Sequence, residues 1–380
     1  MKKTGFLLIL IIIFLLFGVV EFKKHRQDAQ KNIYNHAGVN MLAPAVDSAL
    51  PRVYVPNSLG DSVSVIDPKT YRVIDTFKTG KNPQHIVPSY DLKTLWVLND
   101  KSNTVTPIDP NTGKPGISVP VDDPYNLYFT PDGHFAIVVD EELKKLDFRN
   151  PHTMKLMFSV PVSCMGVNHL DFDANGRFVV ATCEFSGQLL KLDLSTHNII
   201  GYLTLGLDHA GAGSMPQDIR LAPDGKVFYV ADATHGGVFL IDVNDFTQIG
   251  FIKTGVGTHS VYPSRDGKYL YIGNRGCASV GCHSGNCTPH GQGSISVIDA
   301  SARKVVANWP IPGGGSPDMG NVSADGKELW LSGRYDSEVY VFDTKTGRLK
   351  HRIPVGLSPH GMTVWPQPGR YSLGHTGNMR

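Results

Sequence analysis

The sequence predicts an all-β protein, a seven-bladed β-propeller of four-stranded antiparallel blades behind an N-terminal hydrophobic helix, on three observations. The first is a recurring phrase: Val53-Tyr-Val-Pro-Asn57, Ser62-Val-Ser-Val-Ile-Asp67 and Val73-Ile-Asp-Thr-Phe-Lys-Thr79 are short apolar runs with period-two alternation, separated by Ser/Gly/Asp and Asp-Pro-Lys-Thr turn residues. Such runs read as successive antiparallel strands. The second is the period. The phrase returns at 95–99 with 104–109, at 227–232 with 238–242, and at 329–332 with 339–343, and a repeat of roughly 40 residues with four strands per unit is the arithmetic of propeller blades. The third is that the last unit is incomplete and the first unit supplies what it lacks.

Taken in chain order, the first element is an apolar run from Phe6 to Val20, after Lys2-Lys3 and before Glu21-Phe-Lys-Lys-His-Arg26. It is short for a span and sits at the upper limit of a secretory core. No small-x-small site follows Val20 closely and no Cys is present for lipid attachment, so the reading is an uncleaved signal-anchor at about Thr4 to Phe22, with a cleaved signal peptide as the alternative. Residues 1–22 form this element. Residues 23–50 are polar, then Ala/Pro-rich, and read as a tether. The propeller takes 51–380.

Seven polar pairs, each led by Pro, Gly or a similar residue, open the inner strands: Gln84-His85, Tyr125-Asn126, Asn168-His169, Gln217-Asp218, His259-Ser260, Asp318-Met319 and His360-Gly361. Turns such as Pro131-Asp-Gly133 and Ala324-Asp-Gly326 follow, where Gly supplies the positive φ of a tight hairpin. Seven openings against six complete units leave Gly361-Met-Thr-Val-Trp365 without partners of its own, while 53–79 lacks an inner strand. Pairing the two closes the ring and removes exposed edges.

The segment 53–83 resembles the YVTN repeat of surface propellers, and the chain from about residue 51 resembles the YncE-like seven-bladed family. That family is also distantly similar to the haem-binding propeller of the cd-type nitrite reductases. The resemblance implies the fold and makes a haem cofactor an expectation to test; it leaves the activity open, because propellers host unrelated functions.

In an up-and-down blade the inner-strand openings and the loops after the second strand share one face. That face is expected to collect His85, His169, His259 and His360 with Asp218 and Asp318, along with Met165, Met215, Met319 and Met362, and also His209, His235 and the insertion carrying Cys277, Cys282, His283, Cys287 and His290. Imidazole, thioether and thiolate suit copper, iron or zinc, so the channel mouth is a candidate transition-metal or haem site. Strand alternation sends adjacent positions to opposite sides, so His85 and His169 at second places and His259 and His360 at first places are not expected to be coplanar. Structural histidines or an organic ligand remain open readings. Five cysteines leave at least one unpaired internally; Cys164 with Cys183 is a disulfide candidate, and the 277–287 triplet reads as a disulfide clip or a metal set.

Two functions of different class follow: an extracytoplasmic, membrane-anchored module binding a small ligand or protein at the channel mouth, or a metal- or haem-dependent redox protein using the same face. A propeller lactonase recruiting Asp218, Asp318 and Asn126 is a further alternative. Tyr125, Tyr262 and Tyr335 offer stacking surfaces or inter-blade packing. A net charge of +2 with 18% charged residues gives no basic stripe for nucleic acid, and neither a Gly-x-Ser-x-Gly elbow nor a phosphate-binding Gly-rich run is present.

Overall fold

The computed structural model describes residues 32–207, 213–277, 287 and 289–380. Seven sheets of antiparallel strands, ordered from the centre outward, form the disc. Blade four is typical, with Val167–Phe172 innermost, then Phe178–Cys183, Gln188–Asp193 and Ile199–Thr204. The inner two strands are wholly buried and the third is about half so, whereas the outermost alternates between exposed and half-buried positions. The period-two pattern thus reports the outer strand, and the continuous apolar runs report strands covered on both faces. Blade two departs from the plan, since two short outer segments, Lys114–Pro115 and Val119–Pro120, both pair with Thr104–Asp109.

Ring closure is as expected. Thr363–Trp365 pairs antiparallel with Arg52–Asn57, in the register Val53 to Val364. Val53, Val55 and Ile66 of blade one then pack on Trp330, Val339 and Val341 of blade seven together with Met362 and Val364. Apolar side chains between neighbouring blades supply the rest of the core, as where Phe148 of blade three meets Phe172 and Val179 of blade four.

Residues 32–50 and the chain's last residues differ from the sequence reading. The hydrophobic helix expected at Thr4 to Phe22 lies outside the described residues, and among those described no helix is long and apolar enough to cross a membrane. Residues 32–50, expected as part of a tether, are laid against the disc face formed by the first turns of the blades: Ile33 N–H donates to the Pro223 carbonyl, Asn40 N–H donates to that of Ala324, and Tyr34, Ala37 and Val46 are buried. The Tyr34 hydroxyl donates to the Leu221 carbonyl at 2.8 Å. Tyr34, Ala37 and Val46, packed against the blade core, pin it down. The chain's last residues also have a role that no blade required. Beyond Trp365 they form a hairpin, bridged at Ser372 and Met379, that enters the central channel.

Candidate metal centre

Each inner strand carries one residue more than its neighbour opposes, just after its opening residue. In blade two Pro83 faces Asn99 but His85 faces Leu98; in blade five Pro216 faces Asp232 but Ile219 faces Val230; blades three, four, six and seven repeat the shift. Blade one does the same between the Asn57–Pro359 bridge and the Tyr54–Thr363 pair. A β-bulge suspends strict alternation and re-aims side chains. Both the first residue of an opening pair (His259, His360) and the second (His85, His169, Asp218) therefore turn into the channel, which alternation alone forbids.

The four histidines do not sit on a wet rim. They are 0–1% exposed, inside the channel, and a fifth, His375, joins them from the tip of the C-terminal hairpin. Ring centroids lie 4.5 Å apart for His169 and His375, 4.8 Å for His85 and His375, and 4.8 Å for His85 and His360. His259 is 5.9 Å from His360 and 6.0 Å from His169. Glycine makes room for this packing: a Cβ on Gly361 would overlap the ring of His85, and one on Gly374, at φ +112°, would overlap the Leu127 carbonyl. The hairpin is held by His375 N–H to the Leu127 carbonyl at 3.1 Å, Asn378 Nδ2 to Asp171 at 2.9 Å, and the Arg380 guanidinium 4.5 Å over the Tyr34 ring. His375 was missed in the sequence. Its only signal was a glycine-flanked histidine in a tail that the seven blades did not need.

The two aspartates have different duties. Asp318 is saturated: Arg275 Nε and Nη2 reach its Oδ1 at 2.7 Å, and His360 Nδ1–H donates to its Oδ2 at 2.6 Å. The Arg275 guanidinium and these hydrogen bonds hold its carboxyl well below the usual range despite burial. His259 Nδ1 is 3.0 Å from the same Oδ1 but has no hydrogen-bonding geometry to it. Asp318 thus orients His360, and its oxygens are taken up by Arg275 and that histidine. Asp218 is different. Its Oδ2 accepts the Val261 N–H at 3.0 Å while its Oδ1 has no donor among the described residues, and burial pushes its carboxyl up to about 6 against the opposing pull of Arg220, 3.9 Å away.

His169, Asp218 and His375 bring one donor atom each to within 4.8 Å of one another. The Nε2 of His169, both ring nitrogens of His375 and the Oδ1 of Asp218 are buried without a hydrogen-bond partner among the described residues. Burial keeps all five imidazoles neutral, lowering His85 to about 3 and His259 to about 4, with His169, His360 and His375 well below their ordinary value. Neutral imidazoles and one carboxylate are the donor chemistry of a divalent first-row ion. Haem does not fit. Five rings packed 4.5–6.0 Å apart around a hairpin tip leave no slot for a macrocycle.

The other expected ligands are dispersed. Met319 and Met362 are core residues and Met165 is 48% exposed, so the thioethers do not join the cluster. His235 caps a surface turn through Asp232, 2.9 Å away. His290 is half-exposed, 3.8 Å from both Asp336 and Glu338. Cys164–Cys183 and Cys277–Cys287 are disulfides with Cα separations of 5.9 and 5.3 Å, which favours the clip over a thiolate metal set. Cys282, His283 and His209 lie outside the described residues. Asn126 serves His169, its Nδ2 being 3.2 Å from the Nδ1. Tyr125 meets His85 edge-on at 5.4 Å and takes the His85 Nδ1–H on its carbonyl at 2.8 Å; Tyr262 donates to Thr376 of the hairpin at 3.4 Å; Tyr335 packs on the Cys277–Cys287 bridge.

Residues 35–368 match the family model described as a YNCE-like beta-propeller. No protein of curated function matches in sequence. Solved structures share the fold at low identity: the periplasmic gluconolactonase PpgL of Pseudomonas aeruginosa (15% identity, TM-score 0.65, 82% of this chain and 98% of that one), the dihydro-heme d1 dehydrogenase NirN (15%, 0.59, 85% and 76%) and the hydrazine synthase of Kuenenia stuttgartiensis (20%, 0.58, 73% and 87%).

Proposed function

The chain belongs to the YncE-like β-propeller family, and on that premise we propose that it is an extracytoplasmic module that binds a divalent transition-metal ion in its channel through His169, Asp218 and His375. One observation carries the reading: each of the three side chains whose donor atoms converge within 4.8 Å carries a buried donor without a hydrogen-bond partner among the described residues. Leaving a buried polar atom unpaired costs about 1–3 kcal/mol, and a bound ion would remove that cost at all three residues. Two imidazoles with a carboxylate suit zinc or iron(II). An oxygen cage of the kind calcium or magnesium takes is not what surrounds Asp218, so the lactonase reading draws on fold likeness to PpgL alone.

An ion held by His169, Asp218 and His375 would supply a Lewis acid to a small ligand. The protein's own contribution is orientation. Tyr125 and Asp318 hold His85 and His360 by their Nδ1–H groups, and the hairpin carries His375 into place while closing the channel from the opposite face. Two disulfides support an oxidising compartment, because cytosolic thiols stay reduced. Anchoring of the chain by the segment at Thr4 to Phe22, and a small ligand or protein partner at the channel mouth, belong to the same proposal.

The test is elemental analysis of tag-free protein from cells given copper, iron and zinc. The expected result is one ion per chain, lost on His169→Ala or His375→Ala and retained on His290→Ala. Metal-free protein, or retention in the first two variants, overturns the reading. Zinc would favour binding or hydrolysis, and a coloured iron or copper protein would favour the redox alternative.

A further inference from the structure

The residue that follows the second strand occupies an equivalent place in every blade, on the face where the inner strands open. From blade one to blade seven these residues are Ser58, Asp100, Glu141, Glu184, Ala233, Arg275 and Arg334. The charges are segregated. Three consecutive blades present carboxylates, the two blades across the disc present guanidiniums, and small neutral residues separate the two arcs. An alternating ring would neutralise itself, whereas this one places a field across the mouth.

Some of these charges are satisfied within the protein. Arg275 is bound to Asp318, and Asp100 lies 3.0 Å from Lys101. Others are not. Among the described residues the Arg334 side chain makes one hydrogen bond, to the Ser58 hydroxyl at 3.2 Å, and no ion pair. On the opposite arc Glu141 has neither a hydrogen bond nor an ion pair among them. Glu184 is 2% exposed, its Oε2 takes the Asn168 amide at 2.6 Å, and its Oε1 has no partner there. Asn168 Oδ1 and Gln84 Oε1, also more than nine-tenths buried, are likewise unpartnered. Burial and the neighbouring carboxylates of Glu184, Asp100 and Asp123 push Glu141 up to about 9. This arc is short of a cation. Tyr125 lies within electrostatic reach of Glu141, Glu184, Arg334 and Arg275.

We infer that the mouth binds a small zwitterion, an amino acid or short peptide, with its ammonium group against Glu141 and Glu184 and its carboxylate against Arg334. Arg334 offers a carboxylate its counter-ion, and an ammonium group set against Glu141 and Glu184 favours their ionised forms over the neutral ones that burial imposes, so the segregated ring favours a molecule carrying both charges. The ring shares no residue with the His169, Asp218 and His375 set, so the inference does not depend on the ion.

Calorimetric titration of the full chain, as isolated and after chelation, with the common amino acids and triglycine as probes tests it. The tightest-binding zwitterion is then compared with its C-terminal amide and its N-acetyl derivative. Each derivative is expected to bind roughly tenfold or more weakly, the scale of one charged hydrogen bond. Arg334→Gln should abolish the preference over the amide, and Glu141→Gln should reduce the preference over the N-acetyl form, with both variants unfolding at the parent temperature. Chelated protein should bind as well as metal-loaded protein, which separates this outcome from that of the metal reading. Absence of binding by every probe, or equal binding of the zwitterion and its singly charged derivatives, overturns the inference.

Discussion

Tyr128 Oη lies 3.4 Å from the Nδ1 of His169, and this contact selects which nitrogen of the ring can meet an ion. If Nδ1 accepts from the Asn126 amide, Nε2 carries the proton; if Nδ1–H donates to Tyr128, Nε2 presents a lone pair to the channel. Metal binding requires the second arrangement. Tyr128→Phe keeps the ring and removes the acceptor, so metal affinity is expected to fall roughly 10–100-fold, the usual effect of losing an outer partner of a ligand. Competition against a chromophoric chelator measures it, and unchanged affinity would contradict the arrangement.

Acid should destabilise the metal-free protein in a defined window. His85 and His259 titrate near 3 and 4 in the folded state and near 6.5 in the unfolded chain. Between those values the unfolded state binds more protons, so stability is fully present above about pH 6.5 and declines as pH falls toward 4, by about 1.4 kcal/mol per pH unit for each histidine. The other three channel histidines shift in the same direction and steepen the decline. Urea midpoints between pH 7 and pH 4 measure it, and a flat profile would show that these rings are not buried neutral.

Two truncations separate closure from plugging. Ending the chain after Pro359 removes Thr363–Trp365 and bares the inner edge of blade one, whose Val53 and Tyr54 pair with Val364 and Thr363. Ending it after Pro368 keeps that strand and removes only the hairpin. Thermal unfolding is expected to drop sharply for the first and much less for the second, since an open edge exposes a full row of backbone groups. Equal losses would mean that the hairpin, and not the strand, holds the ring shut.

The blade count and the closure were legible because strands covered on both faces leave dense apolar runs and turns leave Asp and Gly. The histidines were legible as residues but not as a cluster. The bulge that brings His85 and His259 to one side has no sequence mark, so alternation argued against their meeting. His375 belonged to a tail without a periodic pattern, and its place depends on contacts with Leu127, Asp171 and Tyr262 that are remote in sequence. Residues 32–50 looked like a tether because Tyr34, Ala37 and Val46 leave no periodic trace, although all three are buried where the segment docks.

The bridge between Cys164 and Cys183 closes a loop across 19 positions inside the core shared by blades three and four. Replacing Cys164 by Ser is expected to cost about 3 kcal/mol, read from urea unfolding under oxidising conditions. Non-reducing peptide mapping should return this bridge and Cys277–Cys287. Recovery of all five cysteines as thiols from freshly isolated protein would argue for a reducing compartment instead.

The claim that the channel is a metal site is tested most directly by anomalous diffraction at the edge of the metal found in the isolated protein. The account predicts one strong peak about 2.0–2.2 Å from a nitrogen of His169, a nitrogen of His375 and Asp218 Oδ1. A protein whose channel shows no anomalous peak, or whose peak lies instead beside His290 and Asp336 on the surface, would contradict it.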